Sequence, residues 1–499
     1  MRVIIDSPIN KYYVQTLGMI FFPGEHFSEK ESAEDENSPV LRVKTQYVEN
    51  GVSAWAKIDY KGKSEIGECI VENSVERTAE RTLKLAVGKA VLTAIGTLMG
   101  YRPAWGMLIG VRPSKVASEL LDGGMSKTRV KKHLASDYLV IPKKASLATE
   151  IALTEKRIVG TPSPKDCSMY VSIPFCPTRC TYCSFVSYTS KRLLDLIPEY
   201  LERLKRDISS NVAIINRLGL NLKTLYIGGG TPTILTEEQL ADLLSHISKN
   251  IDVSKLSEYT LEAGRPDTIT FEKFNIAKEY GVTRVSVNPQ SLCADVLEGV
   301  GRSHSIDEFY RAYECAVKAE IKTINVDLIA GLPRDNFKRF SATLDKVIQL
   351  NPQNITAHTF CVKKSAEILK LNSHIYSANG GDVGKCVDYS QIKTHQAGYI
   401  PYYMYRQKNT VGNYENVGFS LEGHEGLYNI YMMEEIHSIF AAGAGAVTKL
   451  VDNTDPSTES REIERLFNQK YPYEYLMEDR SQSFAEAATK FYREHGMLD

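Results

Sequence analysis

Cysteine is scarce in this chain, at nine in 499 residues. Six of the nine, at positions 69, 167, 293, 315, 361 and 386, are scattered, and the total is odd. Both facts argue against a disulfide framework. Net charge is lacking as well: 60 Lys plus Arg stand against 61 Asp plus Glu, for a balance of −1. That argues against a general nucleic-acid or membrane-surface binder, while leaving room for a local basic pocket. No long apolar run is free of charge. The most apolar stretch, LKLAVGKAVLTAIGTLMGY (83–101), carries Lys84 and Lys89 and reads as a buried helix rather than a membrane span. The opening MRVIIDSPINKYY places Asp6 where a signal peptide needs an apolar core, so no secretory signal is read there. Internal repeats and low-complexity tracts are missing too. These absences predict a cytoplasmic protein with reduced thiols. The length, with 43% hydrophobic residues, allows two to four domains, or one large α/β domain with additions.

The pattern along the chain changes twice. Residues 1–73 read as short strands, with LRVKTQYV (41–48) and VSAWAKIDY (52–60) joined by a turn at Glu49-Asn50-Gly51. Residues 74–157 read as helical, including a helix that follows Pro113 and stops at Asp122-Gly123-Gly124. These two stretches make an N-terminal α+β domain, 1–157, with no chemistry assigned. After the turn-rich 158–168 come six short apolar runs, at 169–173, 224–228, 259–263, 284–288, 324–331 and 355–360. Helical stretches alternate with them, at 198–219, at 236–249 with a Thr236/Gln239 capping box, and at 336–350. Six βα units predict a parallel sheet with right-handed crossovers, closer to a partial or open barrel than to a closed eight-fold one. The domain is set at 165–365, followed by an extension on the substrate side at 366–451 and a helical C-terminal tail at 452–499. Residues 374–386 read as a loop.

The remaining three cysteines, Cys176, Cys180 and Cys183, fall within SIPFCPTRCTYCSFVSY, directly after the first predicted strand. Chance placement of nine cysteines would give this C-x3-C-x2-C spacing with a probability of roughly 0.003. Thiolates so close together serve a metal or a cluster. Zinc normally takes four closed ligands, and no fourth Cys or His stands near in sequence. A [4Fe–4S] cluster is usually held by four cysteines, so three would leave one iron open to a substrate or cofactor.

Other segments carry chemistry as well. Gly228, Gly229 and Gly230 end the second predicted strand, where glycines either make a tight turn or let backbone approach a ligand. Glu262 closes the third strand, as a ligand-facing carboxylate or a surface acid. Asp327, inside the apolar INVDLIAG, must be paired or face a ligand. Lys363, Lys364 and the run YYMYRQKN (402–409), with Arg406 and Lys408 among Tyr402, Tyr403 and Tyr405, suit a large anionic ring or a strand with core tyrosines equally well. Lys127, Arg129, Lys131 and Lys132 read as a solvated helix face, and Trp105 with Arg112 as a docking surface. Cys361 reads as a buried thiol.

YVSIPFCPTRCTYCSF, LYIGGGTPTIL, LEAGRPD, NPQS, GRSH and NVDLIAGLP, over about 165–365, resemble in order and spacing the radical S-adenosylmethionine (SAM) enzymes. Within them the match is to the oxygen-independent coproporphyrinogen III dehydrogenase group. Residues 398–419 and 443–449 resemble its longer-N-terminus, HemZ-like branch of firmicute-type bacteria. The resemblance implies a partial (β/α)6 radical SAM barrel, with Cys176, Cys180 and Cys183 on a [4Fe–4S] cluster whose open iron chelates SAM. One electron cleaves SAM to a 5′-deoxyadenosyl radical that abstracts a hydrogen from the substrate. It further implies SAM contacts from Tyr170, Tyr182, Gly228, Gly229, Gly230, Thr231, Glu262, Gln290, Arg302 and Asp327, with Arg302 forked onto the methionine carboxylate and Asp327 on the ribose. Two positions depart from the family pattern: Ser172 stands where many relatives have histidine, and Asn288-Pro289 where many have glycine.

The implied activity is oxidative decarboxylation of the ring A and B propionates of coproporphyrinogen III, giving protoporphyrinogen IX in heme biosynthesis. The implied partners are the tetrapyrrole and an electron donor such as flavodoxin or ferredoxin. Three rival readings stand beside it: a heme-binding chaperone of the same family, a radical SAM enzyme acting on another tetrapyrrole, and a zinc-stapled barrel without catalysis.

Overall fold

The computed structural model describes residues 1–22, 27, 38–74, 77–110, 112–361, 380–407, 410–454 and 461–498. Its chain divides into two compact units, one comprising Met1–Thr154 and Met404–Glu415, the other most of the chain from Glu155 onward.

In the first unit β1 (Arg2–Asp6) pairs parallel to β2 (Val40–Val48), and β3 (Gly51–Tyr60) and β4 (Lys63–Glu72) extend the sheet antiparallel. Lys61 and Gly62, both at positive φ, form the tight turn between β3 and β4 that suits the right-handed twist of a hairpin. The helix Ala79–Met99 starts where the Thr78 hydroxyl accepts the Arg81 N–H and ends at Gly100 in the left-handed region. It lies on β3 and β4 so closely that a methyl at Gly67 would run into the Ala90 carbonyl. This helix alone among the described residues is long and apolar enough to cross a membrane, and Leu85, Ala86, Val87, Ala90, Val91, Ala94 and Ile95 are buried within the unit. The reading of 1–73 as strands alone is corrected by the helix Lys11–Phe21, whose Asn10 side chain caps it through the Tyr12 N–H. Its β-branched and aromatic residues hid the helical period.

The unit also has a charged core. Glu415 accepts from Trp105 Nε1 at 2.7 Å and from Lys144 Nζ at 2.6 Å, and both Lys144 and Glu415 are fully buried. Arg406 donates to the Leu108 carbonyl, lies over the Trp105 ring, and is lowered to about 10 by burial. Trp105, 1% exposed, is therefore a core residue and not a docking surface.

In the second unit the six expected strands are all present and parallel: β5 (Asp166–Ile173), β6 (Asn221–Gly229), β7 (Glu258–Glu262), β8 (Arg284–Ser286), β9 (Thr323–Ala330) and β10 (Asn354–Thr359). Helices Ile197–Arg217, Glu237–Asn250 and Phe337–Gln349 lie between them, and Thr236 and Gln239 close a reciprocal capping box. The sheet runs on past both edges of this set. β11 (Ile400–Tyr405) and β12 (Asn416–Ser420) extend it beyond β10, and β13 (Ser438–Ala442), β14 (Val447–Val451) and β15 (Ile463–Phe467) beyond β5. Eleven strands in one open order make a partial barrel within an α/β fold. These added strands cover edges of the parallel set whose backbone groups would otherwise stay unpaired. The tail 452–499 holds β15 as well as the helices Pro472–Met477 and Ser481–Glu494. Within 374–386, residues from Gly380 onward are helical (Gly380–Gln396), and 374–379 lie outside the described residues.

Alternation separates the two faces of the parallel strands. Leu225, Ile227, Leu261, Val285, Ile324, Val326 and Ile355 on one face are all buried apolar residues. Tyr226, Thr260 and Arg284 stand in register on the other face, as do Glu262, Ser286 and Asn325, and then Asp327 and Thr356. The second face is polar, unlike the packed apolar interior of a closed eight-stranded barrel.

Candidate active site

The cysteine loop leaves β5 beside the glycine turn of β6. Cys176 is anchored by its N–H on the Tyr188 carbonyl (3.1 Å), and its thiol lies 3.2 Å from the Thr231 hydroxyl. The Cys183 N–H donates to the Cys180 carbonyl at 3.0 Å. Cys176 and Cys180 are 8% exposed and Cys183 is half-buried. Burial pushes the thiols of Cys176 and Cys183 up, so that proton loss accompanies any metal uptake. Among the described residues no three His, Cys, Asp or Glu side chains are grouped as ligands of a single ion. Cluster thiolates each take a different iron, which spaces them more widely than ligands sharing one ion.

The three glycines are dictated by the protein itself. A Cβ on Gly230 would stand 2.5 Å from the Phe175 carbonyl oxygen, and one on Gly228 would stand 2.7 Å from the Tyr226 ring and 2.8 Å from Glu262 Oε2. Gly229 has φ +113°, where L side chains are strained. The Gly230 and Thr231 N–H groups donate to the Ile173 and Phe175 carbonyls, both at 2.8 Å. The turn therefore docks the end of β6 onto the residues leading into Cys176.

Two carboxylates on the polar face are driven apart. Burial raises Glu262 to about 7, opposed by a 2.9 Å hydrogen bond from the Tyr226 hydroxyl. Burial would raise Asp327 too, but His358, 3.6 Å away, and Asn325 Nδ2, at 2.7 Å, outweigh it and hold the carboxyl below its usual range. Asn288 donates to the other Asp327 oxygen at 2.8 Å and accepts the Asp327 N–H. Such a split gives neighbouring acids different tasks. Gln290, at φ +64°, is held by its N–H on the Asp327 carbonyl. Its side-chain oxygen is buried without a hydrogen-bond partner among the described residues, so a ligand donor there would satisfy it.

Arg302 differs from the expected fork. Its Nε donates to His304 Nδ1, one Nη to the Tyr182 hydroxyl, and the other to the Gly264 and Asn288 carbonyls. Three of its nitrogens are thus engaged by protein. One N–H on the Tyr182 side is left to reach a ligand, and the bidentate grip needs a rearrangement. Burial, and then the Arg302 charge, push His304 down to about 3, so it is neutral at physiological pH.

The sequence-derived residues are linked by direct contacts. Tyr170 stacks on Tyr226 at 6.0 Å, which bonds Glu262 beside Gly228. Cys176 meets Thr231. Tyr182 meets Arg302, which reaches Asn288 and through it Asp327 and Gln290. Sequence reasoning missed Tyr226, Asn325, His304 and His358, and noted Asn288 only as a departure from the family pattern. Tyr226 and Asn325 each stand two positions before a residue already singled out, so a strand's period of two would have found them. On the substrate side, Tyr402, Tyr403 and Arg406 are buried at 1%, 6% and 4% exposure, as core tyrosines and a buried cation. Lys363, Lys364 and Lys408 lie outside the described residues. Cys361 is half-buried rather than buried, and Ser172 donates to the Ala444 carbonyl at 3.0 Å.

The parallel sheet with a cysteine loop after its first strand defines a class. The family profile described as the Radical SAM superfamily matches residues 170–347, and together with a relative 36% identical over 75% of the chain it shows that the chain belongs to that superfamily. A [4Fe–4S] cluster and SAM are accordingly its cofactors. Among its relatives, the oxygen-independent coproporphyrinogen-III oxidase-like protein HemZ of Bacillus subtilis is 36% identical over 382 residues, 75% of each chain. The heme chaperone HemW of the same organism is 34% identical over 205 residues, 41% of this chain and 53% of that one. The solved coproporphyrinogen III oxidase HemN of Escherichia coli aligns with a TM-score of 0.49 at 18% identity, over 67% of this chain and 73% of that one.

Proposed function

We propose that the protein oxidatively decarboxylates two propionates of coproporphyrinogen III to vinyl groups, giving protoporphyrinogen IX. The observation that carries this reading is the 36% identity to HemZ, which spans three quarters of both chains. Cys176, Cys180 and Cys183 would hold the cluster, and Glu262, Gln290, Arg302 and Asp327 would hold SAM. When bound, these groups supply a carbon radical able to remove a hydrogen atom. Each propionate would lose that hydrogen atom and CO2, and pass one electron to an acceptor.

The chain's own residues would do the rest. Asp327, ionised, offers its oxygens as acceptors to hydroxyl donors. Glu262, near its titration point at neutral pH, can accept from an amine or donate. Gln290 presents its unpartnered oxygen to a donor.

A second reading is favoured by the HemW relatives: a heme chaperone that keeps the cluster without the decarboxylation. Anaerobic reconstitution with reductant, SAM and coproporphyrinogen III separates the two. The enzyme forms 5′-deoxyadenosine in step with loss of two CO2 from the tetrapyrrole, and Cys180→Ala abolishes both. A chaperone binds heme stoichiometrically and forms neither product.

A further inference from the structure

We infer that residues 468–479 clamp the cysteine loop in place, with Tyr475 and Asp207 as positioning residues for the cluster ligands. Three attachments converge. The first is Tyr188, whose carbonyl accepts the Cys176 N–H and whose N–H donates to the Pro174 carbonyl, so that it brackets the first cysteine. The Tyr188 hydroxyl donates to the Lys470 carbonyl at 3.0 Å, and its ring lies 5.8 Å from that of Tyr471.

The second attachment is the turn Gly443-Ala444-Gly445 after β13, the neighbour of β5. Tyr200 ties this turn to β5: its hydroxyl accepts the Ala444 N–H at 2.9 Å and donates to the Ser172 carbonyl at 2.8 Å. The C-terminal segment holds the same turn from its other side. The Gly445 N–H donates to the Gln469 carbonyl at 2.8 Å, and Asn468 Nδ2 donates to the Gly443 carbonyl at 3.1 Å.

The third attachment is a buried carboxylate. Asp207 Oδ2 accepts both the Gly443 N–H at 3.0 Å and the Tyr475 hydroxyl at 2.8 Å. The Tyr475 ring lies 5.3 Å from Tyr200 and under Arg203, which pairs with Asp479. Tyr200 in turn packs edge-on against Phe175, the residue before Cys176, at 5.0 Å. Tyr200 and Tyr475 are fully buried and Asp207 is 5% exposed.

Buried hydrogen bonds to a carboxylate are strong, and losing one donor to it loosens everything that carboxylate holds. Here that includes the turn gripping Ser172, four positions before Cys176. Residues that orient metal ligands without touching the metal typically change metal affinity 10–100-fold when altered. Neither Tyr475 nor Asp207 is a catalytic residue.

The inference rests on Cys176, Cys180 and Cys183 holding the cluster, and its test needs neither SAM nor tetrapyrrole. The full chain and its Tyr475→Phe variant are reconstituted anaerobically. Iron loss to a chelator and the EPR spectrum of the reduced cluster are recorded, with circular dichroism to confirm folding. Tyr473→Phe, at a half-exposed neighbouring tyrosine, is the control. The expected result is iron loss about ten-fold faster in Tyr475→Phe, with a shifted EPR spectrum and an unmoved control. A folded Tyr475→Phe protein with wild-type iron loss and spectrum overturns the clamp. If that variant fails to fold, Tyr188→Phe, which removes only the bond to Lys470, decides in the same way. A wild-type chain that takes up no cluster would instead overturn the cysteine assignment.

Discussion

At the scale of single residues, Glu262 is the most informative group. Its carboxyl keeps a proton to about pH 7 when folded, against an ordinary value of 4.5. Below pH 4.5 both folded and unfolded chains hold the proton, and the burial does no harm. Between 4.5 and 7 the unfolded chain releases it first, so stability falls as pH rises and levels off above 7. Glu262→Gln keeps an acceptor for Tyr226 and removes the titration. The variant should be more stable than wild type by roughly 3 kcal/mol above pH 7 and equal to it near pH 4.5, as read from chemical denaturation at the two pH values. Lys144 behaves oppositely. It is fully buried and paired with Glu415, so Lys144→Met removes the buried cation that donates to that carboxylate. The expected loss is about 3–5 kcal/mol in the unfolding of the first unit.

At the scale of elements, the glycine turn joins β6 to the start of the cysteine loop. Gly230→Ala places a methyl 2.5 Å from the Phe175 carbonyl oxygen, and backbone cannot swing aside as a side chain can. The loss should be about 1–3 kcal/mol of stability, with a lower iron content after reconstitution, read by denaturation and iron assay. Much of this level was legible in the sequence. The six parallel strands announced themselves as apolar runs between helical stretches, and the Thr236 capping box by its spacing. What stayed hidden depends on long-range pairing. β13 joins β5 across more than 260 residues, and nothing local in SIFAA names that partner. The helix Lys11–Phe21 escaped because its composition suits strands. Trp105 was misjudged, and the setting of Arg406 left open, because a buried ion network is invisible until the chain brings Lys144 and Glu415 together. Asp327 was legible because a lone acid in an apolar strand has few explanations, whereas His358 acquires meaning only beside it.

At the scale of the whole molecule, the balanced net charge and the odd, scattered cysteines left one local feature, three thiols in eight residues, to carry the chemistry. The sheet, the docked glycine turn and the two divergent carboxylates gather around that feature. Membership of the radical SAM superfamily agrees with this arrangement, and the HemZ-like span of sequence directs the proposal to coproporphyrinogen III. The most direct measurement is label transfer, using coproporphyrinogen III deuterated at the propionate β-carbons, the reconstituted protein, SAM and reductant. The account predicts 5′-deoxyadenosine carrying deuterium, formed together with a tetrapyrrole lacking two CO2. Unlabelled deoxyadenosine beside an unchanged tetrapyrrole would contradict it.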